Sequence, residues 1–432
     1  MTAATVHSWG RLRPASARLE TPAWLDDLAA APGPRLAYGL GRSYGDSCLL
    51  DGGTMVDTRF LDRLIAFDPR SGLLRAEAGV SLDTILRFAV PRGWFLPTTP
   101  GTRQVTLGGA IANDIHGKNH HLAGCFGNHI PRFGLLRSDG SHRECAAGDP
   151  LHAATIGGLG LTGIIAWAEL QLVPIRSAWL DVELVRFRGL PEFLALSGES
   201  TRWEHTVAWI DCLGSDPRGT RGIFIRGNWS EHGPLDPHPD AKAGVPVDFP
   251  DFALNPLSIR AFNTLYYRRF LGSTKRLHQH YSPFFHPLDS VRDWNRIYGK
   301  RGFFQYQCVT PTAAGAVPME EILRRIASAG QGSFLAVLKT FGEVRSPGML
   351  SFPAPGITLA LDFPNRGAAT LRLFDELDAV VRDCGGRLYP AKDARMNAAD
   401  FQRGYPRLGE FQQHLDPAFS SGFWQRMTRD KP

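Results

Sequence analysis

The sequence lacks the features that mark membrane, secreted and fibrous proteins. No apolar run in its 432 residues approaches ~18 residues, the length that a membrane-spanning helix needs. The first twenty residues hold no apolar run of signal-peptide length, so we expect a cytoplasmic protein. Internal repeats and low-complexity tracts are also absent. With 43% hydrophobic and 21% charged residues, the chain is expected to form a globular protein of two or three domains.

Paired cysteines and clustered charge are missing as well. The six cysteines are scattered and none forms a C-x-x-C pair, so we expect six reduced thiols and no disulfide framework. The net charge of +6 is spread along the chain and forms no basic arm, which argues against nucleic acid as a partner. A basic surface suits an anionic substrate or an anionic membrane face, and ordinary solvated arginines explain it equally well.

Hydrophobic patterning predicts an α+β protein. Glycine-rich turns separate short strand-like runs in the first part of the chain, and an aromatic-rich part follows in which strand-like and amphipathic runs alternate. Strands are predicted at 36–40, 54–57, 73–78, 163–173, 302–310 and 357–363, a short helix at 81–89, and an amphipathic stretch at 319–329. Residues 233–250 and 346–355 are predicted to be long loops.

The first glycine motif, GLGRSYGD at 39–46, superficially resembles the dinucleotide fingerprint G-x-G-x-x-G. Tyr44 occupies the third glycine position and no helix is predicted directly after it, so the fingerprint fails. Two interpretations remain open for this motif alone, a phosphate-binding backbone nest and a glycine-rich turn between strands.

A second glycine-rich stretch favours a cofactor. The segment PGTRQVTLGGAIANDIHGKNHH at 100–121, followed by GCFGNH at 124–129 and GGLGLTGI at 157–164, would let a flat cofactor lie directly against the backbone. His116 and His120 stand four residues apart, as zinc ligands can, but the Glu of an H-E-x-x-H site is missing. We therefore predict no metal site.

These motifs together resemble the vanillyl-alcohol-oxidase, or p-cresol-methylhydroxylase (PCMH), class of FAD proteins. Within that class, the chain resembles the flavoprotein oxidase subunits of the decaprenylphosphoryl-β-D-ribose 2′-epimerases. The similarity continues through AWID (208–211), FHPLD (285–289), WNRIYG (294–299), FQYQ (304–307), LSFPAPG (350–356) and RLYPAKDAR (387–395). The resemblance implies a PCMH-type FAD-binding domain at 1–175, a substrate-binding domain on an antiparallel sheet at 176–386, and a C-terminal segment at 387–432 that returns to the FAD domain and the active site.

The resemblance also assigns cofactor contacts. It places FAD against Gly39, Leu40, Gly41, Arg42, Ser43, Tyr44, Gly45, Gly101, Thr106, Gly108, Gly109, Asn113, His116, Gly117, Lys118, Asn119, Ile164 and Tyr389. Many relatives carry G-x-G-H-S in the first loop and bond the flavin through that histidine. Arg42 occupies the position here and cannot make such a bond, but its guanidinium can pair with phosphate. We therefore expect non-covalent FAD.

Lys392 is the first candidate for the chemistry, as a proton acceptor or as a cation beside a developing alkoxide or the substrate phosphate. A surface lysine in a turn is the alternative. His116 is the next candidate, as a proton relay or flavin contact, and a structural histidine is its alternative. Gln305 and Gln307 alternate with a tyrosine on a predicted strand, so both face one side and would orient sugar hydroxyls. The resemblance adds Tyr44 to the catalytic set and Lys118, Lys339, Trp209, Phe285 and Phe341 to the substrate contacts.

Four positions depart from the pattern of the sugar-oxidase relatives. The expected cysteine, asparagine, tyrosine and serine correspond here to Ala360, Thr358, Phe285 and Val207. Each difference removes or alters a polar group in the expected pocket. These departures put the identity of the substrate in question more than the reaction.

The resemblance implies oxidation of the 2′-hydroxyl of a polyprenyl-phosphate pentose, such as decaprenylphosphoryl-β-D-ribose, to a ketone. This would be the first half of an epimerisation that supplies cell-wall arabinan, completed by a separate NAD(P)H-dependent short-chain reductase. An alditol or aldonolactone oxidase of the same class, acting on a soluble sugar, is the alternative, and a non-catalytic flavin- or lipid-binding component is a third. Contact with the inner face of the membrane is expected to be peripheral at most.

Overall fold

The computed structural model describes residues 3–28, 33–214, 220–241 and 243–428. Helices and largely antiparallel sheets are both present, so the predicted α+β class is confirmed. None of the helices in these ranges is long and apolar enough to cross a membrane. All six cysteines are free thiols, as predicted.

The first part of the chain forms two main sheets. Its strands are β1 (Ala3–Val6), β2 (Ala15–Glu20), β3 (Arg35–Tyr38), β4 (Thr54–Asp57), β5 (Leu64–Phe67), β6 (Leu73–Glu77), β7 (Trp94–Phe95), β8 (Arg132–Leu136), β9 (His142–Ala146), β10 (Ile164–Gln171) and β11 (Val173–Pro174). A mixed sheet has the order β1-β2-β4-β3, and an antiparallel sheet has the order β5-β6-β10-β8-β9. The helices of this part are α1 (Leu82–Ala89), α2 (Leu107–Ala112), α3 (His120–Ala123) and α4 (Pro150–Thr155).

Helix α1 illustrates how local sequence determines an element. Ser81 precedes it, and its hydroxyl accepts a hydrogen bond from the backbone N–H of Thr84, as an N-cap does. Leu82, Ile85 and Leu86 recur at helical spacing and are buried against the antiparallel sheet. The helix predicted at 81–89 is therefore confirmed.

The second part of the chain builds one large sheet covered by helices. Its strands are β12 (Trp179–Arg188), β13 (His205–Asp211), β14 (Arg221–Trp229), β15 (Ala243–Gly244), β16 (Thr274–His280), β17 (Val291–Arg292), β18 (Phe303–Pro311), β19 (Ala336–Phe341), β20 (Gly356–Pro364) and β21 (Arg387–Leu388). Its helices are α5 (Gly189–Glu199), α6 (Pro256–Tyr267), α7 (Tyr281–Phe285), α8 (Val317–Ser328), α9 (Ala368–Asp383), α10 (Ala398–Gly404), α11 (Leu408–Gln412) and α12 (Gly422–Thr428). Single 3-10 turns lie at Leu25–Asp27, Asp46–Cys48, Thr58–Phe60, Val90–Arg92, Phe126–His129, Pro287–Ser290, Trp294–Tyr298 and Thr312–Ala314.

Eight of these strands form an antiparallel sheet in the order β16-β12-β14-β13-β19-β20-β18-β21. One face packs against α5, α8 and α9 in one of the two large apolar cores of the described residues. The predicted loop at 233–250 contains the short strand β15, which pairs in parallel with β17.

The C-terminal residues return to the first part of the chain. After β21 joins the edge of the large sheet, the backbone N–H of Tyr44 bonds the carbonyl of Ala391, at 3.0 Å. The N–H of Arg35 bonds the carbonyl of Ala418, at 2.8 Å. From α12, Arg426 reaches Asp46 at 2.8 Å and Asp393 at 2.9 Å. These contacts hold the segment around Lys392 in place, while the domain bounds given above stay a prediction.

We expect Arg426→Ala to lower the free energy of unfolding by about 2 kcal/mol, because the buried Asp393 carboxylate and the half-buried Asp46 lose charge-assisted hydrogen bonds. Urea unfolding followed by fluorescence measures this loss. Arg324→Ala is the matched control, since it breaks an exposed helical pair with Glu321 and should cost less than ~0.5 kcal/mol. Equal losses of unfolding free energy in the two variants would show that the Arg426 contacts with Asp46 and Asp393 do not stabilise the fold.

Candidate active site

A cavity of about 800 Å³ lies between the other face of the large sheet and the glycine-rich loops of the first part. The sheet supplies the cavity face through alternate residues of four adjacent strands. These residues are Val207 and Trp209 of β13, Val337 and Lys339 of β19, Thr358 and Ala360 of β20, and Gln305 and Gln307 of β18. The residues between them, such as Ala208, Tyr306, Leu338 and Leu359, lie in the helix-covered core.

Strand register places several of these side chains in one row across the sheet. Trp209 pairs with Val337, Val337 with Ala360, and Ala360 with Gln307. Gln305, two residues before Gln307, therefore also faces the cavity, as the sequence alternation predicts. The indole N–H of Trp209 donates to the carbonyl of Phe334 at 3.0 Å, which fixes the ring as a wall.

The structure brings most of the predicted site residues to the cavity wall. Those at the wall are Gly39, Leu40, Gly41, Arg42, Ser43, Tyr44, Gly101, Thr106, Gly108, Gly109, Asn113, His116, Gly117, Lys118, Trp209, Phe285, Gln305, Gln307, Lys339, Tyr389 and Lys392. Segments far apart in the chain thus meet around one space. The four departures at 207, 285, 358 and 360 line it too.

Four residues of the predicted set are not part of the cavity wall, and their contacts with FAD and substrate stay a prediction. Gly45 is packed so tightly that a Cβ would lie 1.8 Å from the carbonyl oxygen of Asp393. Asn119 accepts from the Thr98 hydroxyl and donates to the carbonyl of Pro97, so it fixes a loop. Ile164 is buried in a separate apolar cluster. Phe341 lies behind the site and packs edge-on against the His116 ring, with centroids 4.9 Å apart.

Two residues of the site were missed at the level of sequence. Asp362 accepts a hydrogen bond from the Gln305 amide at 2.6 Å, and its position could have been inferred because it continues the alternation of Thr358 and Ala360. Trp9 stacks on the Arg42 guanidinium, with the carbon of that group 4.0 Å from the ring centroid. Trp9 and Arg42 are too far apart in the sequence for any local pattern to predict this contact.

The first glycine loop is suited to an anion. Among the described residues, the backbone N–H groups of Leu40, Gly41 and Arg42 donate to no protein acceptor, although all three residues line the cavity. Gly41 has φ +61°, and a Cβ there would lie 2.4 Å from the Tyr38 hydroxyl oxygen. The buried Ser47 hydroxyl also lacks a protein partner among the described residues. Free donors beside the Arg42 cation are what a pyrophosphate requires.

Lys392 lies in the cavity wall beside this loop. Its ammonium lies 4.1 Å from the centroid of the Tyr44 ring. Burial lowers the pKa of Lys392 below its ordinary value, and the Asp362 carboxylate opposes that shift. Burial likewise raises the pKa of Asp362, which the Gln305 hydrogen bond opposes. The site therefore holds a lysine that gives up its proton more readily than an exposed one.

His116 lies between two polar side chains. The Lys339 ammonium nitrogen is 3.0 Å from its Nδ1, and the Gln307 amide is 3.0 Å from its Nε2. Burial, with the positive charge of Lys339, lowers the pKa of His116 well below its ordinary value, so the ring is neutral at pH 7. If Lys339 is protonated it donates to Nδ1, and the ring proton on Nε2 then needs the amide oxygen of Gln307 as its acceptor; if Lys339 is neutral, Nδ1–H donates to it and the Gln307 amide N–H donates to Nε2.

Lys118 and Lys339 make this end of the cavity basic. The Lys118 ammonium donates to the carbonyl of Phe284. Burial lowers the pKa of Lys118 to about 7, and burial with the Lys118 charge lowers the pKa of Lys339 to about 7. An anionic group entering the cavity would favour the protonated form of both lysines.

Two of the histidines near His116 bond backbone carbonyls, whereas the buried ring of His120 has no hydrogen-bond partner among the described residues. His121 Nε2 lies 2.8 Å from the carbonyl oxygen of Trp203, and His129 Nε2 lies 2.9 Å from that of Ala123. Within the described ranges, no group of three or more His, Cys, Asp or Glu side chains could hold a metal ion.

Comparisons with known proteins agree with this geometry. A family model described as an FAD binding domain matches residues 22–146. Decaprenylphosphoryl-β-D-ribose oxidase of Mycolicibacterium smegmatis is 37% identical over 97% of this chain and 96% of its own length. An uncharacterised Streptomyces coelicolor protein from the mprA 5′ region is 32% identical over 81% of this chain and 100% of its own length. Human Δ(24)-sterol reductase is 25% identical over 33% of this chain and 28% of its own length.

FAD is the cofactor, and the predicted PCMH-type FAD-binding fold is confirmed. The matched segment contains the loops at 39–46 and 100–118 that line the cavity. The free backbone donors and Arg42 fit the pyrophosphate. The broad wall of glycine and small residues leaves room for a flat ring system.

We expect FAD to leave the protein on acid precipitation, because neither Arg42 nor Cys48, two wall residues near the first loop, can readily form a covalent bond to the flavin. Arg42 is stacked on Trp9, and burial raises the pKa of the nearby Cys48 thiol to about 12, so little thiolate exists at neutral pH. Absorbance of the supernatant, compared with an added FAD standard, measures the release. Flavin that stays on the pellet through a denaturing wash would show a covalent bond.

We further expect Ala360→Cys to create a cavity thiol that reacts with a small maleimide, since residue 360 lines the cavity beside Gln307. Peptide mapping by mass spectrometry should find one modified residue at 360. The wild-type protein is the control, and its cavity should stay unlabelled because burial raises the pKa of Cys48. Stoichiometric labelling of the wild-type cavity would show that another thiol faces it.

Proposed function

Because the chain belongs to the family of decaprenylphosphoryl-β-D-ribose oxidases, we propose that it oxidises the 2′-hydroxyl of a polyprenyl-phosphate pentose to a ketone. The chain is an FAD-dependent oxidoreductase that acts on a CH–OH group. One observation carries the choice of chemistry: a buried lysine, Lys392, lies in a cavity where the FAD-binding loops meet a sheet face that presents two glutamines.

Alcohol oxidation requires that the carbon lose a hydride and the oxygen lose a proton. FAD, when bound, accepts the hydride. Lys392 in its neutral form takes the hydroxyl proton on Nζ, and burial favours that form. The new ammonium is then stabilised by Asp362 and by the face of the Tyr44 ring. Tyr44 thereby belongs to the catalytic set, as the resemblance implies.

The remaining polar wall orients the sugar. Gln307 contacts His116, and Gln305 is held by Asp362, so both amides are preoriented toward the cavity. The neutral His116 ring contacts both Gln307 and Lys339, so it orients the amide and can exchange a proton with Lys339. Lys118 and Lys339 provide positive charge for the phosphodiester of a lipid-linked sugar. Trp209 and Phe285 form apolar wall beside these groups.

The substrate has two further implications. A 2′-ketone becomes an epimer only when hydride returns to the opposite face, so we propose a separate NAD(P)H-dependent short-chain reductase as partner. A polyprenyl chain remains in the bilayer, so we also propose peripheral contact with the inner face of the membrane.

Anaerobic reduction of the bound flavin tests the function. Decaprenylphosphoryl-β-D-ribose or a shorter prenyl analogue should bleach the flavin absorbance, whereas xylitol and aldonolactones should not. Val207, Phe285, Thr358 and Ala360 line this pocket at positions where the resemblance implies serine, tyrosine, asparagine and cysteine, so related pentoses belong in the same screen. Bleaching by the soluble polyols alone would establish the alternative, a soluble sugar oxidase. A flavin that no sugar reduces would point to a non-catalytic component.

We expect Lys392→Ala to keep the fold and FAD but to lower the rate of flavin reduction by about 10²–10⁴ at saturating substrate, because the proton acceptor acts in the transition state. In the wild type, this rate should rise with pH as Lys392 loses its proton. Its midpoint should lie below ~10.4, the ordinary pKa of lysine, because burial lowers the pKa of Lys392. The variant should lose this rise.

Stopped-flow absorbance measures both quantities. Lys300→Ala, which removes an exposed lysine, is the control and should leave the rate unchanged. Lys392→Arg should not restore activity, since a guanidinium stays protonated. A rate that falls with pH would instead assign Lys392 the role of a cation. A Lys392→Ala rate within about threefold of wild type would make the residue structural and favour His116.

A further inference from the structure

Helix α6 and the turns at its ends expose an unusual amount of apolar surface. Leu257 and Leu265 on the helix are 76% and 73% exposed, and Leu271 just beyond it is 95% exposed. Phe252, before the helix, is 78% exposed. We call these four residues the α6 surface. Single exposed leucines are ordinary, but four large apolar side chains within twenty residues are not.

The spacing shows that α6 is apolar on two opposite faces. Ile259, Asn263 and Tyr267 recur every four residues and are buried toward the protein. Leu257 and Leu265, eight residues apart, lie on the outward face of the same helix. A helix at the surface normally presents polar residues on that face, so this one is built to be covered.

From Phe252 to Leu288 the charge has one sign, and the preceding Asp251 is paired with Arg301 at 3.0 Å. No Asp or Glu occurs between Phe252 and Leu288. Arg260, Arg268 and Lys275 are exposed, and among the described residues none of them forms an ion pair. Arg269 is also exposed and stacks on the Tyr266 ring, 4.1 Å from its centroid. Apolar side chains bordered by unpaired cations complement an interface of anionic headgroups and acyl chains.

We propose that the α6 surface docks on an anionic phospholipid bilayer, with the exposed leucines in the acyl boundary and the basic residues at the phosphates. The proposal deepens the proposed function and rests on it, because a lipid-linked substrate is presented at such a boundary. Tyr266 of the same helix lines the cavity, and its ring lies 4.6 Å from that of Trp209. The docked helix would thus hold the cavity wall next to the membrane.

A second copy of this chain fits the surface less well. A symmetric dimer would bring the same patch of both subunits together and would place Arg260, Arg268 and Lys275 near their own counterparts. No acidic residue in the segment between Phe252 and Leu288 would offset that repulsion. Anionic lipid supplies the missing negative charge.

Vesicle flotation of the FAD-loaded protein tests the proposal. Wild type should float with vesicles of phosphatidylcholine mixed with phosphatidylglycerol, bind phosphatidylcholine alone at least about tenfold more weakly, and dissociate as salt is raised. The triple variant Leu257→Ser, Leu265→Ser, Leu271→Ser should bind the mixed vesicles at least about tenfold more weakly. Arg260→Glu with Arg268→Glu should do the same without altering the apolar residues. Val317→Ser, which removes an exposed apolar side chain from α8, is the control and should bind as wild type.

Several results would overturn the proposal. They are triple-variant binding equal to wild type, wild-type binding that ignores phosphatidylglycerol, and a concentration-dependent dimer that the triple variant abolishes. FAD content and flavin reduction by a detergent-dispersed short-chain substrate should match in all variants, which separates docking from catalysis. If a lipid-linked sugar reduces the flavin but the protein does not bind vesicles, only the proposed membrane docking of the α6 surface is refuted. Vesicle binding without reduction by any lipid-linked sugar would refute the proposed function.

Discussion

Because side chains alternate between the two faces of the eight-stranded sheet, one face forms an apolar core and the other lines the cavity. Antiparallel strands point successive residues to opposite sides, so the same four strands build both an apolar core under α5, α8 and α9 and the floor of the cavity. Gln307, Ala360, Val337 and Trp209 lie in one row because the strand register aligns them. A one-residue slip in any of these strands would exchange core and cavity residues.

Burial of charge is the second constraint on the site. Lys118, Lys339 and Lys392 all line one cavity, and burial lowers the pKa of each. Among the described residues of the sheet, Asp362 is the carboxylate whose charge acts on Lys392, while His116 is held neutral beside Lys339. Positive charge is thus left without full compensation. The excess of positive charge favours binding of an anionic ligand in the cavity, and it also favours the neutral form of Lys392, which can accept a proton.

Backbone hydrogen bonds join the C-terminal segment around Lys392 to the first glycine loop and to the large sheet. Tyr389 and Lys392 lie between β18 and the first glycine loop, since the Tyr389 N–H bonds the Gln307 carbonyl and the Tyr44 N–H bonds the Ala391 carbonyl. The Tyr389 hydroxyl also donates to the carbonyl of Asn113, at 2.7 Å, and so ties the second glycine loop to the same segment. Cofactor loop, sheet and C-terminal segment therefore position one another, and none of them could form the site alone.

Sequence by itself determined the local elements, the cofactor loops and the facing of Gln305 and Gln307, because caps, glycine spacing and two-residue alternation depend only on neighbours in the chain. The resemblance of its motifs gave the family and FAD. Tertiary structure alone decided that Asp362 faces Lys392, that Trp9 covers Arg42, and that Phe341 supports His116 from behind. It also turned Asn119 and Gly45 away from the cavity wall. These relations join residues distant in sequence, and strand order and packing, which no local pattern encodes, determine which of them meet.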